Sequence, residues 1–147
     1  MHIKELGHVV LYVSNLELLA NFYRDTLGFT EIAREGGVAV FSSGRTHHEL
    51  LLIDIGKEPK PKEVIETGLY HIGFKVADTT EELKQVYKEL KAKGVEIIGM
   101  SDHTVTHSLY ILDPDGNELE LYADVSDIWK KDSRAVMSPT RFLSLDE

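Results

Sequence analysis

One unit is written twice in this chain, and that duplication limits the fold more than any other feature. Gly7-His8-Val9 and Tyr70-His71-Ile72 occupy equivalent places in two halves, each reading strand, helix, then three strands. In the first half, residues 6–13 (LGHVVLYV) are a strand by their β-branched and aromatic content. Ser14 or Asn15 can cap a helix whose apolar stripe, Leu16, Leu19, Ala20, Tyr23 and Leu27, recurs at spacings of three and four, with Gly28 as its stop. Strands are expected over 30–34, 38–42 and 48–55, separated by Gly36-Gly37 and Ser42-Ser43-Gly44. In the second half the strand is 69–76, the cap lies within 78–80, and the helix is 81–93 with Leu83, Val86, Tyr87 and Leu90 inward and Gly94 at its end. Strands over 95–99, 108–112 and 118–122 complete it. Duplication of a supersecondary unit implies that neither half buries its sheet alone and that the two pack together. The expected organisation is one domain over residues 1–147. It comprises a first βαβββ module (1–56), a linker (57–68) ending in a short helical turn, a second βαβββ module (69–123) and a tail (124–147). The tail would pack on the body through Ile128, Trp129, Val136, Met137, Phe142 and Leu143.

Composition removes several classes of function. A formal charge of −9 argues against general nucleic-acid binding, because phosphate contacts need clustered cations. The longest apolar runs are too short to span a bilayer, so no membrane partner is expected. The N-terminal MHIKELGHVVLYV lacks a signal-peptide pattern, which points to the cytoplasm. Without cysteine there is no thiolate nucleophile and no zinc–sulfur site. What remains conspicuous is seven histidines, His2, His8, His47, His48, His71, His103 and His107.

The densest stretch is 101–122, SDHTVTHSLYILDPDGNELELY. Asp113-Pro114-Asp115-Gly116-Asn117 is a turn between two strands. Along the second strand Glu118, Glu120 and Tyr122 share one face, and Leu119 and Leu121 the other. Acidic residues opposite a leucine pair are usually solvated, which suits Glu118 well and Glu120 less well. His8 and His71 at equivalent repeat positions, with Glu120 late in the second half, supply two imidazoles and one carboxylate. That set suits a divalent iron or manganese ion that must keep coordination positions open.

The repeated unit, with a His opening each half and a Glu in the last strand, resembles the vicinal oxygen chelate superfamily over roughly residues 6–122. That superfamily holds glyoxalase I, fosfomycin and bleomycin resistance proteins, methylmalonyl-CoA epimerase and the type I extradiol dioxygenases. The resemblance implies an α+β fold in which two βαβββ modules pair into an open, partly closed mixed β-sheet barrel around a metal site, helices outside. His103, five residues, Leu109-Tyr110, two residues, Asp113-Pro114-Asp115-Gly116 and then Glu120 is similar to the extradiol signature, with Ser101 where that signature usually has Gly. The His47-His48 pair also looks like these enzymes. Carried over residue by residue, the resemblance makes His8, His71 and Glu120 the ligands of Fe(II), with Mn(II) as the alternative. It makes His48 the acid–base group, and His103 and Tyr110 the contacts to oxygens of a catechol-type substrate cleaved with O2. His47 then reads as a solvated neighbour, His107 as structural and His2 as exposed.

Two other outcomes stay open on sequence. One is a glyoxalase-like lyase or thiol transferase of the same fold, for which Glu49 would be the extra ligand. Adjacent strand residues point to opposite faces, so at most one of His48 and Glu49 should face the cavity squarely. The other is a non-catalytic protein that binds a small ligand. A homodimer is expected on the general prevalence of two-fold symmetric assemblies.

Overall fold

Val9–Val13 begins the first sheet as β1, and its partners explain where it starts. β1 runs parallel to β4 (Leu50–Asp54), and the first pair in register is Val9 with Leu50. The computed structural model describes residues 1–61 and 65–146. The fold is α+β, with two four-stranded mixed sheets and few helices. The short helical turn expected at the end of the 57–68 linker falls partly on residues 62–64 and so lies outside the described residues.

The first compact unit is Met1–Val64 with Asp113–Gly116. Its sheet has the order β1-β4-β3-β2, where β2 is Thr30–Glu35 and β3 is Val38–Ser42. Between β1 and β2 lies α1 (Leu16–Asn21), capped by Asn15, whose side chain accepts the Leu18 N–H. The expected single helix to Leu27 instead widens into a π turn over Phe22–Thr26, where the Leu27 N–H reaches back to the Phe22 carbonyl. Leu16, Leu19, Ala20 and Tyr23 are buried as the stripe predicts, packing with a core that includes Ala39, Phe41, Leu50 and Leu52. The Tyr23 hydroxyl donates to Asp113 Oδ2 at 2.7 Å, and the Ser14 N–H donates to Asp115 Oδ2 at 2.8 Å. Gly116 takes φ +80°, the left-handed value this turn requires.

The second unit is Ile65–Leu112 with Asn117–Glu147. Its strands are β5 (His71–Ala77), β6 (Gly99–Asp102), β7 (Thr106–Leu112) and β8 (Glu118–Asp124), in the order β5-β8-β7-β6. β5 and β8 are parallel and the other neighbours antiparallel. α2 (Thr80–Ala92) starts at Thr79, which accepts the Glu82 N–H, while Glu82 reaches back to the Asp78 N–H. Leu83, Tyr87 and Leu90 bury its apolar face. Along β8, Leu119, Leu121 and Ala123 are buried and Glu118, Glu120 and Tyr122 half-buried, the two faces that alternation predicts.

Three expectations about element positions need correction. Strands expected over 6–13, 48–55 and 69–76 start later, at Val9, Leu50 and His71, so His8 and His48 stand just outside strands. The strand expected over 95–99 forms at Gly99–Asp102 instead, because β7 offers its partners there, from Tyr110 to His107. In the tail, Ile128, Trp129, Val136, Met137 and Phe142 are exposed, Met137 and Phe142 by 86% and 89%. The tail is held by other residues. The backbones of Arg141 and Asp102 exchange two hydrogen bonds (3.0 and 2.8 Å), and Leu145 is fully buried. Among the described residues no helix is long and apolar enough to cross a membrane.

Candidate metal centre

Glu120 lies mid-strand in β8, between Gly73 of β5 and Tyr110 of β7, its direct partners in register. Its side chain is only 16% exposed. The Ser108 hydroxyl donates to Oε1 at 2.6 Å and the Tyr110 hydroxyl to the same oxygen at 3.2 Å. His71 Nε2 lies 3.0 Å from the other oxygen, Oε2. A Cβ at Gly73 would make ordinary contacts with Oε2 (3.7 Å) and the Tyr122 ring (3.5 Å).

His103 comes to the cluster from the β6–β7 turn. Its Nε2 lies 2.7 Å from the Tyr110 hydroxyl oxygen and its Nδ1 3.3 Å from Thr140 Oγ1. With the Tyr110 hydroxyl donating to Glu120, one assignment satisfies the whole chain: Thr140 donates to His103 Nδ1, and His103 Nε2–H donates to Tyr110. Burial first, and then the Glu120 charge, push the Tyr110 phenol well above its ordinary pKa, so it acts as a donor. The turn itself is tight. Thr104 has φ +74°, the Val105 N–H donates to the His103 carbonyl at 2.8 Å, and the Thr104 N–H donates to Asp102 Oδ1 at 2.7 Å. That backbone donor, then the Arg141 guanidinium at 3.0 Å, holds the Asp102 carboxyl below the usual range despite some burial. His107 bonds Thr80 through Nδ1 (2.8 Å), in keeping with a structural role.

In the first unit the His8 and His48 rings lie with centroids 4.4 Å apart, tilted by 36°. His47 Nδ1 is 2.6 Å from His48 Nδ1, and the His47 side chain is exposed. Desolvation, followed by the neighbouring His8 and His47, lowers the His48 pKa, which favours the neutral ring. Glu49 is turned to its own loop, accepting the Ser43 N–H (3.0 Å) and hydroxyl (2.6 Å) beside Arg45 Nε (3.5 Å). His2 is exposed.

The structure therefore groups the six candidate residues as His71, Glu120, His103 and Tyr110 in the second unit and His8 and His48 in the first. Among the described residues no set of three or more His, Cys, Asp or Glu side chains is gathered as a metal cluster. The His71–Glu120 pair nonetheless fits a divalent ion. His71 Nε2 and Glu120 Oε2, 3.0 Å apart, are the two side-chain atoms that would hold it. An imidazole and a carboxylate are also donors that Fe(II) and Mn(II) accept. Alternation along β7 could have revealed Ser108, two residues before Tyr110 on the same face. Nothing local in the sequence marks Thr140.

A family model described as the Glyoxalase/Bleomycin resistance protein/Dioxygenase superfamily matches residues 5–121. Biphenyl-2,3-diol 1,2-dioxygenase 2 of Rhodococcus globerulus is 32% identical over 120 residues, covering 82% of this chain. The chain spans only 63% of that protein's length. Glutathione transferase FosA of Serratia marcescens is 31% identical over 120 residues, covering 82% of this chain and 81% of the transferase. The crystal structure of a glyoxalase/dioxygenase from Nostoc punctiforme aligns with a TM-score of 0.71 at 20% identity, over 84% of this chain and 92% of that one. At that identity the likeness is one of fold.

Proposed function

The chain belongs to the glyoxalase/bleomycin resistance protein/dioxygenase superfamily, and from that footing we propose that it is a metal-dependent extradiol dioxygenase, opening the ring of a catechol-type substrate with O2. The observation that carries this is the hydrogen-bonded run Thr140–His103–Tyr110–Glu120, which ties two donors suited to phenolic oxygens to a candidate metal ligand. On this basis the metal is Fe(II), with Mn(II) as the alternative, held by His8, His71 and Glu120, and the protein works on small molecules in the cytoplasm.

When bound, the metal supplies a Lewis acid that lowers the substrate's phenolic pKa and a binding position for oxygen. The remaining work belongs to the chain's own side chains. Tyr110 keeps its proton and so does not act as the base; it orients a deprotonated substrate oxygen by turning that one proton from Glu120 to the substrate. His103, whose Nε2–H meets the Tyr110 oxygen at 2.7 Å, offers a second donor once that proton turns from Tyr110 to the substrate. His48, neutral at physiological pH, accepts a proton from a substrate hydroxyl and later returns it. Glu49 is engaged with Ser43, and His48, whose Nδ1 meets His47, takes this step through Nε2.

The test is oxygen uptake with catechol and substituted catechols after anaerobic Fe(II) loading. Uptake with a yellow ring-opened product, lost in Glu120→Ala, is the expected result. No uptake across the panel from protein with confirmed bound metal would overturn it. The likeness to a glutathione transferase over 81% of that enzyme supports a second reading, thiol transfer, which glutathione consumption with a small electrophile would detect.

A further inference from the structure

His71 is gripped on one side only. Its Nε2 meets Glu120, but its Nδ1 is buried and, among the described residues, has no hydrogen-bond partner. A buried polar nitrogen without a partner is uncommon enough to require an explanation. The nearest acid is Glu118, directly opposite His71 in the parallel register of β5 and β8. Its Oε1 stands 3.9 Å from Nδ1, about 1 Å beyond a hydrogen bond. The two-residue period of β8 sets Glu118 and Glu120 on one face, so the carboxylates flank the two nitrogens of a single imidazole. Tyr70 adds a third neighbour: its ring lies 4.7 Å from that of His71, and the nearby Glu118 charge, with some burial, raises its phenol above the ordinary value. Glu118 is thus engaged, not the solvated residue that alternation alone suggests.

We propose that Glu118 is the positioning carboxylate of His71. It accepts the Nδ1 proton, and Tyr70 steadies it from behind. This fixes the tautomer that leaves the Nε2 lone pair for a divalent cation and makes that nitrogen a stronger donor. A small rotation of the Glu118 carboxyl closes the remaining gap, and a carboxylate has lone pairs enough for both Tyr70 and His71. The inference rests on His71 being a metal ligand, as in the proposed function, but it does not depend on which reaction the metal serves.

The test uses the full chain and Mn(II) alone, following free Mn(II) by electron paramagnetic resonance during titration. Glu118→Ala is expected to weaken Mn(II) binding about 10- to 100-fold. Glu118→Gln, which keeps an acceptor of the same shape, should recover part of that loss, and Tyr70→Phe should show a smaller loss in the same direction. Melting temperatures of the metal-free variants should stay within about 2 °C of the parent, which a general structural role would not allow. A Glu118→Ala affinity within about twofold of the parent, or no Mn(II) binding by the parent, overturns the proposal. Glu118-dependent Mn(II) binding by a protein that cleaves no catechol would retain it and remove the dioxygenase reading.

Discussion

Ser108 donates its hydroxyl proton to Glu120 Oε1 at 2.6 Å from a fully buried position, and Tyr110 donates to the same oxygen. The carboxylate is thereby held with one oxygen anchored to β7 and the other turned to His71. Ser108→Ala removes the shorter of these bonds. The expected outcome is about 1 kcal/mol lost from stability in denaturant titration, with divalent-metal affinity down about 10-fold. Unchanged affinity would show that Tyr110 alone orients Glu120.

Tyr23 gives a prediction at the alkaline end. Burial first, and then the Asp113 charge, raise its phenol far above the ordinary value of 10.0. The folded state therefore keeps this proton after the unfolded chain has released it. The contribution is fully present below pH 10 and is lost as pH rises above it. Tyr23→Phe should flatten the alkaline fall in stability. At neutral pH it should cost about 1–3 kcal/mol, because it removes a donor from the buried Asp113 carboxylate. Chemical denaturation at a series of pH values reads both.

Asp102 gives the opposite sign. Its folded-state pKa lies below the ordinary 3.8, chiefly through the Thr104 N–H, with Arg141 adding to it. Its contribution is present above the unfolded value and is lost as pH falls through the folded one. Asp102→Asn should reduce the acid-side loss of stability and also loosen the tail at Arg141. Greater hydrogen exchange at Arg141 and Phe142 checks the second effect.

His48 and His47 are adjacent imidazoles with different expected roles. His48→Gln should lower kcat for ring opening about 10²- to 10⁴-fold while leaving metal content unchanged. His47→Gln, at an exposed position, should leave kcat within about threefold, since exposed substitutions away from a site change little. Equal losses in the two variants would remove His48 from proton transfer.

Much of this protein is legible in one dimension because its signals are periodic. The helical stripe from Leu16 to Tyr23 and the alternation from Glu118 to Tyr122 depend only on the 3.6 and 2.0 periods, and both faces appear where those periods put them. The duplication was equally visible, and each half forms a four-stranded mixed sheet with β1 parallel to β4 and β5 parallel to β8.

Position along each element was less legible. β6 forms at Gly99–Asp102 because β7 supplies hydrogen-bond partners there, a condition absent from the segment's own composition. The helix end over Phe22–Thr26 is π-wound although its residues give no sign of it. Five of the six expected tail anchors are exposed and Leu143 is half-buried, while Leu145 is fully buried, since burial depends on what an anchor meets as well as on its hydropathy.

Sequence by itself determined which side chains are available on each strand face: His71 in the first strand of the second half, Glu118 and Glu120 together on β8, and Tyr110 on β7. Tertiary structure decided which of them meet. Strand register sets Glu118 opposite His71, a tight turn with Thr104 at φ +74° carries His103 to Tyr110, and a bridge at Asp102 brings Thr140 to His103. The physical reason is that alternation assigns a face to every residue, whereas pairing, turn strain and long-range bridges choose partners across distances no local pattern encodes.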